Sequence, residues 1–297
     1  MNRRFFDFRD SNLGLNDIIR LIRFPNLMII VLTQYFTAIF LIGTHESYLR
    51  YLLDPRLFIL SLSTILIASA GYIINDYYDI KIDYLNKPKR VVVGNLVRRR
   101  IALFLHWTLS IFGVLIGMIV NIYMGIINLV AAFLLWFYSN HLKRIPFLGN
   151  ITVAFLTSLS IMILLILYPQ REKLVILYAV FAFFINLIRE IIKDIEDWKG
   201  DKAFGCRTLP IVWGIRYTKY FLYFLMMIFI VLLSWMTIKL DNYFIKVYFA
   251  LLSIPAVFFV HKLIISDTTK DFYYLSGFSK VIMLSGIISM IFFKFFN

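Results

Sequence analysis

Cysteine is nearly absent from this chain. Its single thiol, Cys206, excludes an intrachain disulfide, and a lone cysteine reads as a buried, inert thiol. Histidine is as sparse. His45, His106, His141 and His261 are scattered with no spacing that suits a zinc site. Charge is scarce as well: 16% of the 297 residues are charged and 61% are hydrophobic. Soluble domains sit near a quarter charged and half apolar, so a water-soluble enzyme is excluded. Apolar and polar residues do not alternate, which argues against a transmembrane barrel. Arg3 and Arg4 are not followed by a short apolar core and a small-residue cleavage site, so no removable signal peptide is expected.

What remains is a set of continuous apolar runs near the ~20 residues that a helix needs to cross a bilayer. The expected fold is an all-α membrane protein, a single domain over 1–297 built as a bundle of about nine transmembrane helices. The spans fall near 25–43, 57–75, 101–121, 123–140, 149–168, 174–192, 218–238, 244–263 and 276–296. Before them, residues 14–23 set Ile18, Ile19, Leu21 and Ile22 against Arg20 and Arg23, the pattern of an interfacial helix. Segment 1–24 is therefore expected at the cytoplasmic surface.

Lysine and arginine orient the bundle. One side carries Arg3, Arg4, Arg9, Arg20, Arg23, Lys81, Lys87, Lys89, Arg90, Arg98, Arg99 and Arg100, then Lys143, Arg144, Lys193, Lys199, Lys202, Arg207 and Arg216. The other has Arg50, Arg56, Arg171, Lys173 and Lys239. The N-terminus is expected in the cytoplasm and the C-terminus outside, in a multi-pass protein of the cell membrane. The net charge of +14 then reflects topology and anionic lipid rather than nucleic acid, which is not an expected partner.

Two stretches carry chemistry. NDYYDIKIDYLNKPKR, residues 75–90, places Asp76, Asp79 and Asp83 directly after the second span, with Lys87, Lys89 and Arg90 behind them. KDIEDWKGDK repeats the D-x2-D-x3-D spacing with Asp194, Asp197 and Asp201 after the sixth. Positions i, i+3 and i+7 share one face of a continuing helix. Three carboxylates on one face repel unless a cation lies among them, and a hard ion such as Mg²⁺ takes oxygen ligands and is commonly shared with substrate phosphates. The adjacent bases suit those phosphates. Carboxylates near a helix C-terminus also oppose the macrodipole by about 0.3–1 kcal/mol each, a cost that a purely structural sequence avoids. Both spans run outward to inward, so both triplets open on one membrane face.

At these residues the chain resembles the UbiA family of intramembrane prenyltransferases. Asn75, Asp76, Asp79 and Asp83 match its N-D-x-x-D-x-x-x-D motif, and Asp194, Asp197 and Asp201 its second motif, each placed by the family on a cytoplasmic loop. NKPKRVVVG at 86–94 is similar to its basic stretch, with Val91 where a proline is usual. YSNHLKRIPFLGN at 138–150 is similar to its Tyr…Leu-Lys-Arg segment. The wording of 188–214 and the Gly-Asn after the Lys-Arg pair resemble the branch that makes archaeal-type ether lipids.

The resemblance implies Mg²⁺-dependent transfer of a geranylgeranyl group from its diphosphate to a membrane-soluble acceptor, geranylgeranylglyceryl phosphate. It implies Asp76, Asp79, Asp197 and Asp201 as catalytic metal ligands, with Asp83 and Asp194 as ligands or partners of metal-bound water. Lys143, Arg90 and Lys193 add positive charge. Asn75 either ligates metal or holds an aspartate. Arg23, Asn26 and Arg144 are candidates for the acceptor phosphate. Arg189 is another, unless it simply pairs with Glu190. Tyr72, Tyr77, Tyr78, Tyr138 and Trp136 are candidate walls for an allylic cation. No obligate protein partner is implied. Two rivals stay open: the same chemistry on an aromatic acceptor such as 4-hydroxybenzoate, and a cation transporter lined by the acids.

Overall fold

The computed structural model describes residues 14–88, 91–239 and 243–295. Lys89 and Arg90 lie outside the described residues, as do Arg3, Arg4 and Arg9. All regular structure among the described residues is helical. The thirteen α-helices are α1 Leu15–Leu21, α2 Phe24–Phe36, α3 Tyr48–Leu52, α4 Pro55–Asn86, α5 Arg99–Val120, α6 Ile122–Asn140, α7 Leu148–Met162, α8 Leu164–Leu167, α9 Glu172–Ala203, α10 Leu209–Val212, α11 Ile215–Lys239, α12 Tyr243–Ile265 and α13 Thr269–Phe295. A π-helical segment, Thr37–Ile42, extends α2. Nine helical stretches among the described residues are long and apolar enough to cross a membrane.

These stretches coincide with the expected spans, with one difference that matters. α4 and α9 do not stop where hydropathy falls at 75 and 192. They run on to Asn86 and Ala203, and each is 32 residues long. A 32-residue helix is about 48 Å long, against a hydrocarbon core of about 30 Å. The Asp triplets therefore ride on the last turns of helices rather than on loops. Hydropathy reports only the stretch in lipid; the helix continues until a breaker. For α4 that breaker is Pro88, whose ring disfavours helical backbone at the preceding residue. Phe204 caps α9, and Gly205 follows at φ 75°. The last helix likewise begins at Thr269, earlier than the 276 that hydropathy suggests.

α4 and α9 are also the central helices. In their apolar windows 56% and 61% of residues are buried, against 39% or less in every other span. α4 starts cleanly: the Asp54 carboxylate caps Arg56 N at 2.8 Å and Pro55 opens the first turn. It packs on α5 and α6, which are joined by a single residue, Asn121, whose side chain accepts from Tyr123 N at 2.8 Å. The main core gathers α9, α11, α12 and α13 through Ile188, Ile191, Ile192, Leu222, Met226, Phe249, Phe259 and Phe293.

A smaller cluster fixes the motif end of α4. Leu21 of α1, Ile73 and Ile80 of α4, and Val92, Val93 and Val97 of the following loop are all buried together. A helix, α1, occupies most of the segment expected to lie at the interface, with Leu15 exposed at 74% and Leu21 buried. At the opposite end of the bundle, the Lys294 ammonium donates to the carbonyls of Ile39, Gly43 and Glu46 at 3.3, 2.9 and 2.7 Å. It satisfies acceptors that a helix end leaves open.

Candidate active site

The ends of α4 and α9 are tied together. Asn86, the last residue of α4, donates to Asp197 O at 3.1 Å and accepts from Gly200 N at 3.0 Å. A Cβ on Gly200 would lie 2.4–2.6 Å from the Asn86 amide atoms, so this bridge needs glycine there. Lys87 then reaches across to Asp197 at 2.8 Å and to Glu196 at 2.8 Å. Burial works against its positive charge, but Asp197 and Glu196 outweigh that and hold its pKa above the ordinary lysine value.

Lys143 pairs with the first triplet and feels the charge of the second. This lysine lies on a short 3₁₀ turn, Leu142–Arg144, between α6 and α7. Its ammonium pairs with Asp79, and the other groups acting on it are Tyr138 and Asp201. Burial opposes the charge, yet Asp79 with Tyr138 and Asp201 raises its pKa well above 10.5. Asp79 also accepts from Asn75 Nδ2 at 2.8 Å, one of the two roles open to Asn75 in the sequence. Asp201 is 2% exposed, and its Oδ1 has no hydrogen-bond partner. Asp194 accepts from Asn150 Nδ2 at 2.8 Å. Asp83 lies one turn beyond Asp79 on the same face of α4.

Arg23 closes the α1–α2 side. Its backbone is left-handed, φ 51°, a conformation that costs a residue with a Cβ of order 1 kcal/mol. Its side chain supports that geometry, donating to Asp76 Oδ1 at 2.8 Å and lying 5.0 Å over the Tyr72 ring. Burial lowers its pKa, and Asp76 and Tyr72 more than restore it.

The remaining candidates divide. Tyr138 lies within electrostatic reach of Lys143, Glu190, Asp194 and Asp79, and Tyr72 lies under the Arg23 guanidinium. Tyr77 turns away, under the Arg99 guanidinium at 4.7 Å, with its ring 5.2 Å from that of Tyr78. Trp136 joins Phe133 and Phe137 in an aromatic row on α6. Lys193 and Arg189 both pair with Glu190 at 2.7 Å, rather than with a motif aspartate. Arg144 is exposed and contributes a backbone carbonyl, which accepts from Arg207 N at 3.1 Å. Arg90 lies outside the described residues. Three participants escaped the sequence reading, Asn86, Gly200 and Lys280, and Asn150 entered it only as part of the Gly-Asn pair, without a role. Of the three, Lys280 carried a signal, as an ionisable residue in an apolar helix.

The donor set suits a hard divalent ion: carboxylate oxygens alone, one of them buried without a partner. Among the described residues no three acidic, histidine or cysteine side chains converge closely enough to hold one ion. Mg²⁺ does not require such a cage. It is usually held by one or two carboxylates, with water and substrate phosphate completing the shell. The residues therefore fit an ion shared with a phosphorylated substrate.

The fold and the site define a multi-pass helical membrane protein with two facing acidic motifs and fixed cations at one end of its bundle. The chain belongs to the UbiA prenyltransferase family, whose model matches residues 31–278. It is 42% identical over 148 residues to digeranylgeranylglyceryl phosphate synthase of Thermococcus sibiricus, covering 50% of this chain and 53% of that protein. It is 40% identical over 153 residues to the protein of that name from Saccharolobus solfataricus, covering 51% and 54%. The matched stretch thus spans about half the length of these curated relatives. A solved digeranylgeranylglyceryl phosphate synthase superposes with a TM-score of 0.66 at 24% identity, covering 93% of this chain and 98% of that one. A UbiA homolog from Archaeoglobus fulgidus bound to GPP and Mg²⁺ gives 0.65 at 18%, covering 92% and 99%. The apo UbiA homolog from Aeropyrum pernix K1 gives 0.69 at 17%, covering 89% and 97%. At these identities the structural likenesses establish the fold.

Proposed function

We propose that the protein transfers a geranylgeranyl group from its diphosphate to the free hydroxyl of geranylgeranylglyceryl phosphate. The observation that carries this reading is the tie between the two motifs: Lys143 pairs with Asp79 of the first beside the buried Asp201 of the second, and Asn86 and Lys87 at the end of α4 bind Asp197. In the reaction the allylic carbon–oxygen bond breaks, and diphosphate leaves with the electron pair. The acceptor oxygen bonds that carbon, and its proton is released. Lys143 is a fixed cation where the leaving group gains charge, in a site that is preorganised and largely dry.

Asp76, Asp79, Asp83, Asp194, Asp197 and Asp201 are the residues that would hold Mg²⁺, and the ion would supply charge neutralisation to the departing diphosphate. Asn75 holds Asp79, and Asn150 holds Asp194. Tyr72 and Tyr138 present π faces, which attract cations. An apolar cleft lies between α2, α7, α9, α11, α12 and α13, lined by Ile29, Ile185, Phe181, Phe229 and Phe249 among others. It suits a prenyl chain and keeps water from the allylic centre. Burial of each CH₂ is worth about 0.8 kcal/mol, which keeps such a substrate in the membrane. The site faces the cytoplasm in this reading.

The test offers purified protein in nanodiscs Mg²⁺, labelled geranylgeranyl diphosphate and, in parallel, geranylgeranylglyceryl phosphate and 4-hydroxybenzoate. Label in a doubly alkylated glycerol phosphate is the expected result. Label on the aromatic ring alone moves the enzyme to the quinone branch. Metal-dependent ion flux without prenyl diphosphate would favour a transporter.

A further inference from the structure

A second charged cluster lies beside the aspartate motifs and meets them where Arg23 pairs with Asp76. Arg23 joins α1 to α2, Arg189 and Lys193 are on α9, and Lys280 is on α13. The charges acting on Lys280 are Arg189, Lys193, Arg23 and Glu190. These four cations share two carboxylates. Asp76 takes Arg23, and the two oxygens of Glu190 take Arg189 and Lys193. Lys280 is left with a neutral partner, Asn26 Oδ1 at 2.9 Å. Arg189 keeps a buried Nε–H without any acceptor. A buried donor in that condition costs about 1–3 kcal/mol, and the surplus positive charge adds to the cost.

Position narrows the ligand. On each of three helices the cluster residue lies about one turn from residues that line the apolar cleft: Asn26 from Ile29 and Ile30, Arg189 from Asn186 and Ile185, Lys280 from Met283. The ligand therefore combines an apolar chain with an anionic head. A phosphate monoester carries about −1.5 to −2 charges at neutral pH and three acceptor oxygens, which matches both the surplus charge and the open donor.

We propose that Lys280 and Arg189, with Lys193 and Arg23 around them, seat the phosphate monoester of a lipid acceptor and so select the acceptor. This rests on the prenyl-transfer reading for its consequence, since seating the phosphate at the cleft rim leaves the acceptor's hydroxyl free to face the aspartate motifs.

The test separates the two. Full-length protein in nanodiscs is titrated with a 1-O-alkylglycerol phosphate, with its dephosphorylated alkylglycerol and with geranyl diphosphate, comparing wild type with Lys280→Gln, Lys280→Arg and Arg189→Lys. Steady-state kinetics with geranylgeranylglyceryl phosphate accompany the titrations. Lys280→Gln is expected to weaken the phosphate lipid roughly 10- to 100-fold and to raise the acceptor KM by a similar factor. Affinities for the alkylglycerol and for geranyl diphosphate change less than about two-fold, and Lys280→Arg restores most of the loss. The proposal is overturned if wild type binds both glycerol lipids equally, or if Lys280→Gln weakens geranyl diphosphate instead, which would give the cluster to the donor. Lys280-dependent binding of the phosphate lipid without any turnover keeps the seat and sinks the transferase reading.

Discussion

Asp79 is held from two sides, by the Asn75 amide and the Lys143 ammonium, while Asp201 keeps one buried oxygen without a partner. Asp79→Asn or Asp201→Asn should lower turnover at least about 100-fold, the scale of removing one preorganised electrostatic group, with expression near normal. Normal turnover in both variants would falsify the two-motif site. Lys87 permits a test by pH. Its folded pKa lies above 10.5, so its ion pairs contribute fully below that value and are lost only as pH rises through the folded pKa. Lys87→Met should cost about 1–3 kcal/mol, and the Tm difference from wild type should stay constant from about pH 6.5 to about pH 9.5. A gap that closes within that range contradicts the assignment. The aspartates were legible because their spacing is local and repeated. Which cation meets which aspartate was not, because Arg23 and Asp76 are 53 residues apart and Lys143 and Asp79 are 64 apart. Only the fold brings them together.

At the scale of the element, α4 and α9 act as two posts that share one crossbar at Asn86. Gly200→Ala should break both Asn86 bonds, cost about 1–3 kcal/mol and spread the helix ends. Turnover then falls while Asp197 and Asp201 remain in sequence. Thermal unfolding and the prenyl diphosphate KM, measured together, check this, and an unchanged KM would count against the crossbar. The spans were readable because lipid imposes one length and one composition on every crossing helix. The added turns were not, because past the bilayer the chain obeys capping and proline rules that hydropathy ignores. In the same way a hydropathy window absorbs Lys280 into a span without showing that it turns toward Asn26.

For the whole molecule, we propose from the arginine and lysine bias that the motif end of the bundle faces the cytoplasm. In a Cys206→Ser background, an impermeant maleimide should label Arg50→Cys in intact cells and Lys202→Cys only after lysis. The reverse pattern inverts the topology. Cys206 itself is buried, and burial and the nearby Asp201 push its pKa to about 11. The wild-type thiol should therefore resist alkylation near neutral pH in the folded protein and react on denaturation.

The two 32-residue helices carry one last consequence. About 20 residues cross the hydrocarbon, so the final dozen of each helix, roughly 18 Å of it, begin at headgroup depth. A reaction centre at that depth samples a two-dimensional solution. Its substrates are counted per lipid rather than per litre, and encounters follow lateral diffusion. Diluting the vesicles with buffer should leave the rate per enzyme unchanged, whereas diluting the substrate with inert phospholipid should lower it.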